Sequence, residues 1–183
     1  MRVVLGEVAM KNGKYLEEGN VCWYYNDELH NESGPAMIEE DGSKHWFKKG
    51  KRHREDGPAI EWATGGKEWW LDGKKHRLEG PAIDSSNGTQ LWYKNGRLHR
   101  IDGPAVLVYD GATAWFREGS LHRLDGPAAE GSDGTRAWYV EGMRLKEEEF
   151  VSLITPKKPI ENNILNMRKK CLGIGSTGKL KNK

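Results

Sequence analysis

The fold is decided by the stretch 92–105, which reads Trp-Tyr-Lys-Asn-Gly-Arg-Leu-His-Arg-Ile-Asp-Gly-Pro-Ala. Close copies of this stretch recur along the chain, and the tryptophan that begins each copy returns every 23 residues without an insertion. A fixed period of this length indicates a stacked array of structural repeats. We call these positions the Trp column: Trp23, Trp46, Trp69, Trp92, Trp115 and Trp138.

Each unit is predicted to form antiparallel β-structure. In the third unit, Lys67–Leu71 reads as a strand and Lys74–Arg77 as its return strand, with Asp72-Gly73 supplying the positive φ angles of a two-residue hairpin turn. A Gly-Pro loop and an extended segment follow, and a second turn near Gly88 leads to the next tryptophan. The sequence therefore predicts a mostly β fold, an elongated single-layer antiparallel β-meander of tandem β-hairpin repeats with a C-terminal helical segment and tail.

A second aromatic column follows the Trp column in every unit. Successive side chains of a strand point to opposite faces, so we expect one aromatic ladder on each face. We expect the Trp ladder to be the buried one, covered by Pro-Ala loops and by Lys and Arg stems, although the alternation by itself leaves the exposed ladder open. The apolar column expected to pack with it is Met37, Ile60, Ile83, Val106 and Ala129. The second aromatic column comprises Tyr24, Phe47, Trp70, Tyr93, Phe116 and Tyr139.

The non-repeating ends are expected to close the array, since an exposed edge strand invites pairing with another chain. Lys146–Ile154 has acids in its first turn, as helix N-termini favour. The predicted organisation is an N-terminal capping hairpin at 1–18, six tandem repeats at 19–145, C-terminal capping helices at 146–172 and a flexible basic tail at 173–183.

The net charge of +2 conceals an asymmetry. From Thr155 onward the chain carries eight Lys and Arg side chains against the single acid Glu161, so the repeat region is net acidic. We therefore expect no continuous basic stripe on the repeats, and the tail is the predicted source of any phosphate contact.

The composition favours a cytoplasmic protein. No run of apolar residues reaches the roughly 18 needed to span a bilayer, and the first residues are interrupted too soon for a secretory signal. Cys22 and Cys171 are too few for a disulfide framework and lie outside any Cys-x-x-Cys pair. We expect free thiols and no membrane span.

A column of histidines follows each hairpin, at His30, His53, His76, His99 and His122. Neighbouring copies should lie about 10 Å apart, too far for two imidazoles to bind one zinc at about 2.1 Å each. We expect instead that each histidine hydrogen-bonds the backbone of its own Asp-Gly-Pro loop, and that the adjacent arginine pairs with the acid two residues later. Because these polar residues recur in every copy, none is singled out for a reaction. No enzyme activity, metal or cofactor is predicted.

Two features of the C-terminal segment require interpretation. Residues 173–179 satisfy Gly-x-Gly-x-x-Gly and approach a P-loop, but Leu180 replaces the magnesium-binding Ser or Thr and no room remains for a following helix, so we reject nucleotide binding there. An apolar helical face precedes this motif, opposite Lys169 and Lys170, and could dock on the repeats, bind a partner or touch an anionic membrane. Its members are Ile160, Ile164, Met167 and Cys171.

The unit at 92–105, nearly repeated at 115–128, resembles the His-Arg-x-Asp-Gly-Pro-Ala repeat of many bacteriophage and giant-virus proteins. More distantly, the order Trp, Gly, His and Gly over 23 residues is similar to MORN repeats, whose hairpins build elongated single sheets. The resemblance covers about residues 19–145. The MORN likeness implies scaffolding, self-association or phospholipid contact, but His-Arg-x-Asp-Gly-Pro-Ala stands where MORN units have His-Gly-x-Gly. The phage likeness implies an accessory protein directed at a host factor, such as a defence protein.

The function expected from these features is non-enzymatic protein interaction. Interfaces favour Trp, Tyr and Arg as dominant contacts, which the aromatic ladders supply in a row. The alternatives are nucleic-acid binding through aromatic rungs and the basic tail, and sequestration of a small ligand such as a nucleotide between rungs or between two chains. The expected partner-binding residues are the second aromatic column together with Ile164, Met167, Arg168, Lys169 and Lys170.

Overall fold

The computed structural model describes residues 10–155, and this part of the chain forms short β-strands followed by one α-helix. Helix α1 is Glu147–Ile154, in agreement with the predicted helix at this position, and its Phe150 is buried. The strands are, in chain order, β1 (Gly13–Glu17), β2 (Asn20–Tyr25), β3 (Glu28–Leu29), β4 (Met37–Ile38), β5 (Lys44–His45), β6 (Phe47–Lys48), β7 (Lys51–Arg52), β8 (Ile60–Glu61), β9 (Lys67–Glu68), β10 (Trp70–Leu71), β11 (Lys74–Lys75), β12 (Ile83–Asp84), β13 (Gln90–Leu91), β14 (Tyr93–Lys94), β15 (Arg97–Leu98), β16 (Val106–Leu107), β17 (Thr113–Ala114), β18 (Phe116–Arg117), β19 (Ser120–Leu121), β20 (Ala129–Glu130), β21 (Arg136–Val140) and β22 (Met143–Leu145).

The strands form one long antiparallel sheet and a row of separate hairpins. The main sheet has 14 strands, in the order β1-β2-β4-β5-β8-β9-β12-β13-β16-β17-β20-β21-β22 with β3 paired to β2. Four two-stranded hairpins accompany it: β6-β7, β10-β11, β14-β15 and β18-β19. The predicted antiparallel meander of tandem hairpins is confirmed for residues 10–155.

The predicted continuous strand through the tryptophan is wrong for the inner units. In the third unit, Lys67–Glu68 belongs to the main sheet and Trp70–Leu71 to a separate hairpin. The Trp69 N–H donates to the Ala82 carbonyl at 2.8 Å, while its own carbonyl accepts the His76 N–H at 3.0 Å. The strand changes partners at this residue, so each inner unit contributes strands to two hydrogen-bonded ladders.

Neighbouring hairpins are also joined by backbone hydrogen bonds. The Gly73 N–H donates to the Arg52 carbonyl of the preceding unit at 2.9 Å, and the Arg77 N–H donates to the Tyr93 carbonyl of the following unit at 3.1 Å. Equivalent bonds recur along the row. The repeats are therefore coupled through the main sheet and through the hairpins.

The hairpin turns have the predicted geometry. Asp72 and Gly73 have φ angles of 48° and 75°, and Asn95 and Gly96 have 51° and 81°, as two-residue turns with two positive φ angles require. The same conformation holds where the sequence offers a poorer first residue, at Glu141 with φ 51°. The fold imposes the turn even on residues that disfavour it.

The core of the repeats is a column of alanines. The alanine that ends each Gly-Pro-Ala triplet is 0% exposed in five units, at Ala36, Ala59, Ala82, Ala105 and Ala128. The apolar column one residue later was expected to be buried, but only Ile60 is buried at 2% exposure and the others are half-buried. The backbone of each of these alanines hydrogen-bonds the chain on both sides, and its methyl group is shielded from solvent.

The two ends of the described sheet differ from the inner units. β1 pairs with β2 along five residues, and β22 pairs with β21 in the last hairpin. Residues 1–9 of the proposed N-terminal cap, the proposed second helix around 160–172 and the tail at 173–183 lie outside the described residues. Among residues 10–155, α1 is too short to cross a membrane.

Candidate interaction surface

In units two to five, the loop after the hairpin is built around an arginine that packs on the Trp column. In the fifth unit, the Arg123 guanidinium carbon lies 3.9 Å from the centre of the Trp115 ring. Arg123 Nε donates to Asp125 Oδ1 at 2.7 Å, and its Nη1 donates to the Pro127 carbonyl at 3.1 Å. A Cβ on Gly126 would stand 3.0 Å from the guanidinium carbon, so the guanidinium lies close against the backbone of this glycine. One side chain thus fixes the loop and covers the indole.

The arrangement recurs in the preceding units, as predicted for the arginine and acid pair. Arg54 and Arg100 donate from Nε to the acid two residues later at 2.9 and 3.0 Å. In the third unit Arg77 lies 3.7 Å from the Trp69 ring centre and donates to the Pro81 carbonyl, but no hydrogen bond joins it to the longer Glu79 in the described structure. The indole and proline contacts are therefore the common part of the motif.

The arginines also lower the pKa of the aspartates in these loops. Hydrogen bonds from Arg54, Arg100 and Arg123 lower the pKa of Asp56, Asp102 and Asp125 respectively. These carboxylates are mostly exposed, with side-chain exposures of 84%, 81% and 82%, so solvent screens much of the attraction. Their lowered pKa values report loop geometry and do not single out a catalytic acid.

The first unit builds the same loop from other side chains. Asn31 replaces the arginine, and its Nδ2 donates to the Pro35 carbonyl at 2.9 Å. Its Oδ1 accepts hydrogen bonds from the Ser33 backbone N–H and hydroxyl, both at 3.1 Å. The amide thereby supplies the proline contact without covering the indole as an arginine does.

The predicted role of the histidines in their own loops is wrong. His76 Nδ1 accepts the backbone N–H of Asn95, in the hairpin turn of the following unit, at 3.1 Å. The other four histidines do the same 19 residues further along, at 3.1 to 3.2 Å. Stacking brings the next turn to the imidazole, so the histidine column joins successive repeats. His53 also contacts a side chain of its own loop, with its Nε2 3.2 Å from Glu55 Oε1. Around the described residues, no group of three or more His, Cys, Asp or Glu could hold a metal ion.

Grooves lie between successive loops. Three of them have volumes of about 650, 550 and 470 Å³ and lie between units one and two, four and five, and three and four. Each is lined by a Trp-column indole and by loop residues of two units. They are open clefts that repeat along one edge, which suits an extended partner better than a single enclosed substrate.

The residue two positions after each histidine of the column is exposed in its loop, and these five residues form what we call the loop edge. In three consecutive units this residue is a large apolar side chain in solvent: Leu78 is 76% exposed, Ile101 84% and Leu124 52%. These three residues are not among the partner-binding residues predicted from the sequence. An apolar residue at the variable site of an otherwise polar loop was the signal that could have found them. The loop edge comprises Glu32, Glu55, Leu78, Ile101 and Leu124.

The second aromatic column is half-buried along its whole length, as is the Trp column. Cations cover part of it: the Arg52 guanidinium carbon lies 5.3 Å from the Phe47 ring centre and 5.6 Å from that of Trp70. Lys75 Nζ lies 5.2 Å from the Trp70 ring centre and 5.5 Å from that of Tyr93. The expected contact residues Ile164, Met167, Arg168, Lys169 and Lys170 lie outside the described residues.

Two further side chains with a raised pKa, Cys22 and Tyr24, lie in the first unit. Burial raises the pKa of the Cys22 thiol, which keeps it protonated and unreactive. A hydrogen bond to Glu17 raises the pKa of Tyr24 to about 12. Both groups are held in their neutral forms, which favours structural roles.

The chain matches no protein-family model and no curated protein. The structure establishes an array of tandem antiparallel hairpins, and the likeness to MORN and phage repeats rests on the residues of the repeat.

Proposed function

We propose that this chain is a non-enzymatic protein-interaction module that binds its partner along the loop edge. The observation that carries the proposal is the row of exposed Leu78, Ile101 and Leu124 at equivalent positions of three units. Their exposure has no use in the folding of the repeats, and each stands beside an open groove. Exposed apolar side chains that lie in a row are typical of protein-binding surfaces.

The polar chemistry of the loops supports binding over catalysis. Arg54, Arg100 and Arg123 make the same contacts in their own units, and each is committed to a carboxylate, a carbonyl and an indole. A catalytic site needs a few unlike groups that converge on one reacting atom. Equal groups repeated along an edge favour a partner contacted at several points.

The partner class follows from the repeat motif. The His-Arg-x-Asp-Gly-Pro-Ala unit resembles repeats of bacteriophage and giant-virus proteins, which supports a MORN-like accessory protein that acts in the host cytoplasm. We propose that it binds and inhibits a host protein, such as a defence factor. This step rests on the resemblance, whereas the loop edge rests on the exposed residues themselves.

A triple substitution tests the loop edge. Leu78→Glu, Ile101→Glu and Leu124→Glu should abolish capture of a stoichiometric host protein that the unaltered chain retains, because charge replaces the apolar row. The matched control is Leu16→Glu, Tyr109→Glu and Met143→Glu, which changes three exposed apolar side chains elsewhere, at 76%, 70% and 63% exposure. The control should retain the partner. Equal retention by both triple variants would refute binding through the loop edge.

A further inference from the structure

The hairpin row carries a surface that the net charge of the repeats conceals. In the four separate hairpins, the residues beside the turn point to one face, and six of these eight positions are basic while none is acidic. All six cations are exposed. Leu71 and Ser120 interrupt these positions, so the basic side chains form a local concentration on the repeats. We call this surface the hairpin face: Lys48, Lys51, Lys74, Lys94, Arg97 and Arg117.

Like charges stand directly opposite each other on the hairpin face. Lys48 pairs with Lys51 across the first of these hairpins, and Lys94 pairs with Arg97 across the third. Like-charged cross-strand pairs destabilise a hairpin. Within residues 10–155, no ion pair compensates any of the six cations. Asp72 and Glu118, the two acids in the turns of these hairpins, form their ion pairs elsewhere. Asp72 contacts His53, and Glu118 contacts His99.

In the main sheet, several charged residues lie opposite residues of the other sign on neighbouring strands. Lys44 pairs with Glu61, and Glu61 pairs in turn with Lys67, so charges alternate across these strands. Further along, Glu130 pairs with Arg136. The same chain thus places opposite charges side by side in the main sheet but not in the hairpins. Accumulated positive charge is a local property of the hairpin row.

Packing holds the basic side chains in a regular row. The stem of Lys51 lies against Gly73 of the next turn, 3.7 Å from where a Cβ on that glycine would stand. Lys74 lies against Gly96 and Arg97 against Gly119 in the same manner, at 3.6 and 3.7 Å. With two strands per unit, successive cations recur at about 10 Å. A row of this kind presents charge at a fixed interval along a line.

We infer that the hairpin face binds the phosphate backbone of a nucleic acid, independently of base sequence. A linear polyanion with evenly spaced charges complements a repeating row of cations, whereas a folded acidic protein rarely offers carboxylates at one interval. The aromatic residues of these hairpins occupy the opposite face, where Arg52 and Lys75 cover them. The hairpin face therefore offers charge without a base-stacking platform. This inference goes beyond the proposed function, because it concerns a different surface and a different partner.

Fluorescence anisotropy of the full chain with labelled 20-nucleotide DNA of two unrelated sequences tests the inference, in single-stranded and duplex forms. The test variant is Lys51→Gln, Lys94→Gln and Arg97→Gln, which keeps most of each stem. The control variant is Lys44→Gln, Lys67→Gln and Arg136→Gln, three exposed cations of the main sheet with the same charge change. A third variant, Arg168→Gln, Lys169→Gln and Lys170→Gln, reports the contribution of the C-terminal segment.

We expect both sequences to bind equally well, with affinity that falls as salt rises. The test variant should bind at least about tenfold more weakly at 0.1 M salt, and its log–log salt slope on duplex should be shallower by about 2 to 3, because each phosphate contact contributes about 0.9. The control variant should keep the affinity of the unaltered chain. A cooperative thermal unfolding transition should show that each variant is folded, and the melting temperature of the test variant should not fall, since its substitutions remove like-charged pairs.

Three results would overturn the inference. They are an equal loss in test and control variants, a loss confined to the C-terminal variant, and binding of poly-glutamate or phosphatidylserine vesicles as tightly as DNA. A preference of more than about tenfold for one DNA sequence would refute a contact made to phosphates alone.

Discussion

The Trp69 N–H donates to the Ala82 carbonyl, and the Ala82 N–H donates to the Leu91 carbonyl of the next unit, both at 2.8 Å. Ala82 therefore links the tryptophan of its own unit to the strand that leads into the next one. Its side chain is 0% exposed, so the methyl group is packed on all sides by the protein. The same linkage explains why alanine, the smallest chiral side chain, forms the core.

The first prediction concerns the size of this core residue. Ala82→Leu should lower the free energy of unfolding by about 1–3 kcal/mol, because position 82 is fully buried and a larger side chain overpacks it. Urea denaturation followed by tryptophan fluorescence measures the change. Ala63→Leu is the control, since Ala63 is exposed in a turn and should change the unfolding free energy by less than about 0.5 kcal/mol. Equal effects at both sites would contradict the alanine core.

The second prediction concerns the histidine column. His76→Ala should destabilise the array by about 0.5–1.5 kcal/mol, because the Asn95 N–H loses its acceptor in the preceding unit. Hydrogen exchange should accelerate at the Asn95 amide. The Gly96 amide, which donates to the Lys75 carbonyl at 2.8 Å, serves as the internal reference. Faster exchange in the loop 78–81 with an unchanged Asn95 amide would instead indicate that His76 hydrogen-bonds the backbone of its own loop.

The third prediction concerns a buried histidine outside that column. His45 is 2% exposed, and neither ring nitrogen makes a well-formed hydrogen bond, although Nε2 lies 2.8 Å from Glu39 Oε1. Burial lowers the pKa of His45, and Glu39 opposes this shift only in part. In the unfolded chain histidine gains a proton below about pH 6.5, while the folded chain resists it, so stability should fall as the pH drops below this value.

His45→Leu should therefore stabilise the fold, by about 1 kcal/mol at pH 8 and by more at pH 5, since leucine already occupies the equivalent position 91. Thermal unfolding at the two pH values measures both effects. A stability difference that shrinks or reverses at pH 5 would show that a charged His45 is paired with Glu39 and contributes to folding.

The fourth prediction concerns backbone strain in the last hairpin. Glu141 has a φ of 51° in a turn that asparagine or glycine adopts more readily. Glu141→Asn should raise the free energy of unfolding by about 0.5–1 kcal/mol. The reverse change in the fourth unit, Asn95→Glu at φ 51°, should lower it by a similar amount. A shift of the same sign at both positions would exclude turn strain as the cause.

The sequence alone determined the period, the antiparallel hairpins and their turns. These features depend on residues a few positions apart, such as Asp72 and Gly73, whose conformational preferences act wherever the unit stands. The pairing of Arg54 with Asp56 was likewise predictable, because two residues separate them in a tight loop.

Only the tertiary structure decided what faces what. The sequence pattern predicts one continuous strand at 67–71, but in the structure this segment changes partners at Trp69. His76 bonds a turn 19 residues away because stacking, and not chain proximity, brings that turn to it. The exposed loop edge and the basic hairpin face arise for the same reason: register between units aligns residues 23 positions apart into rows, and no single unit contains a row.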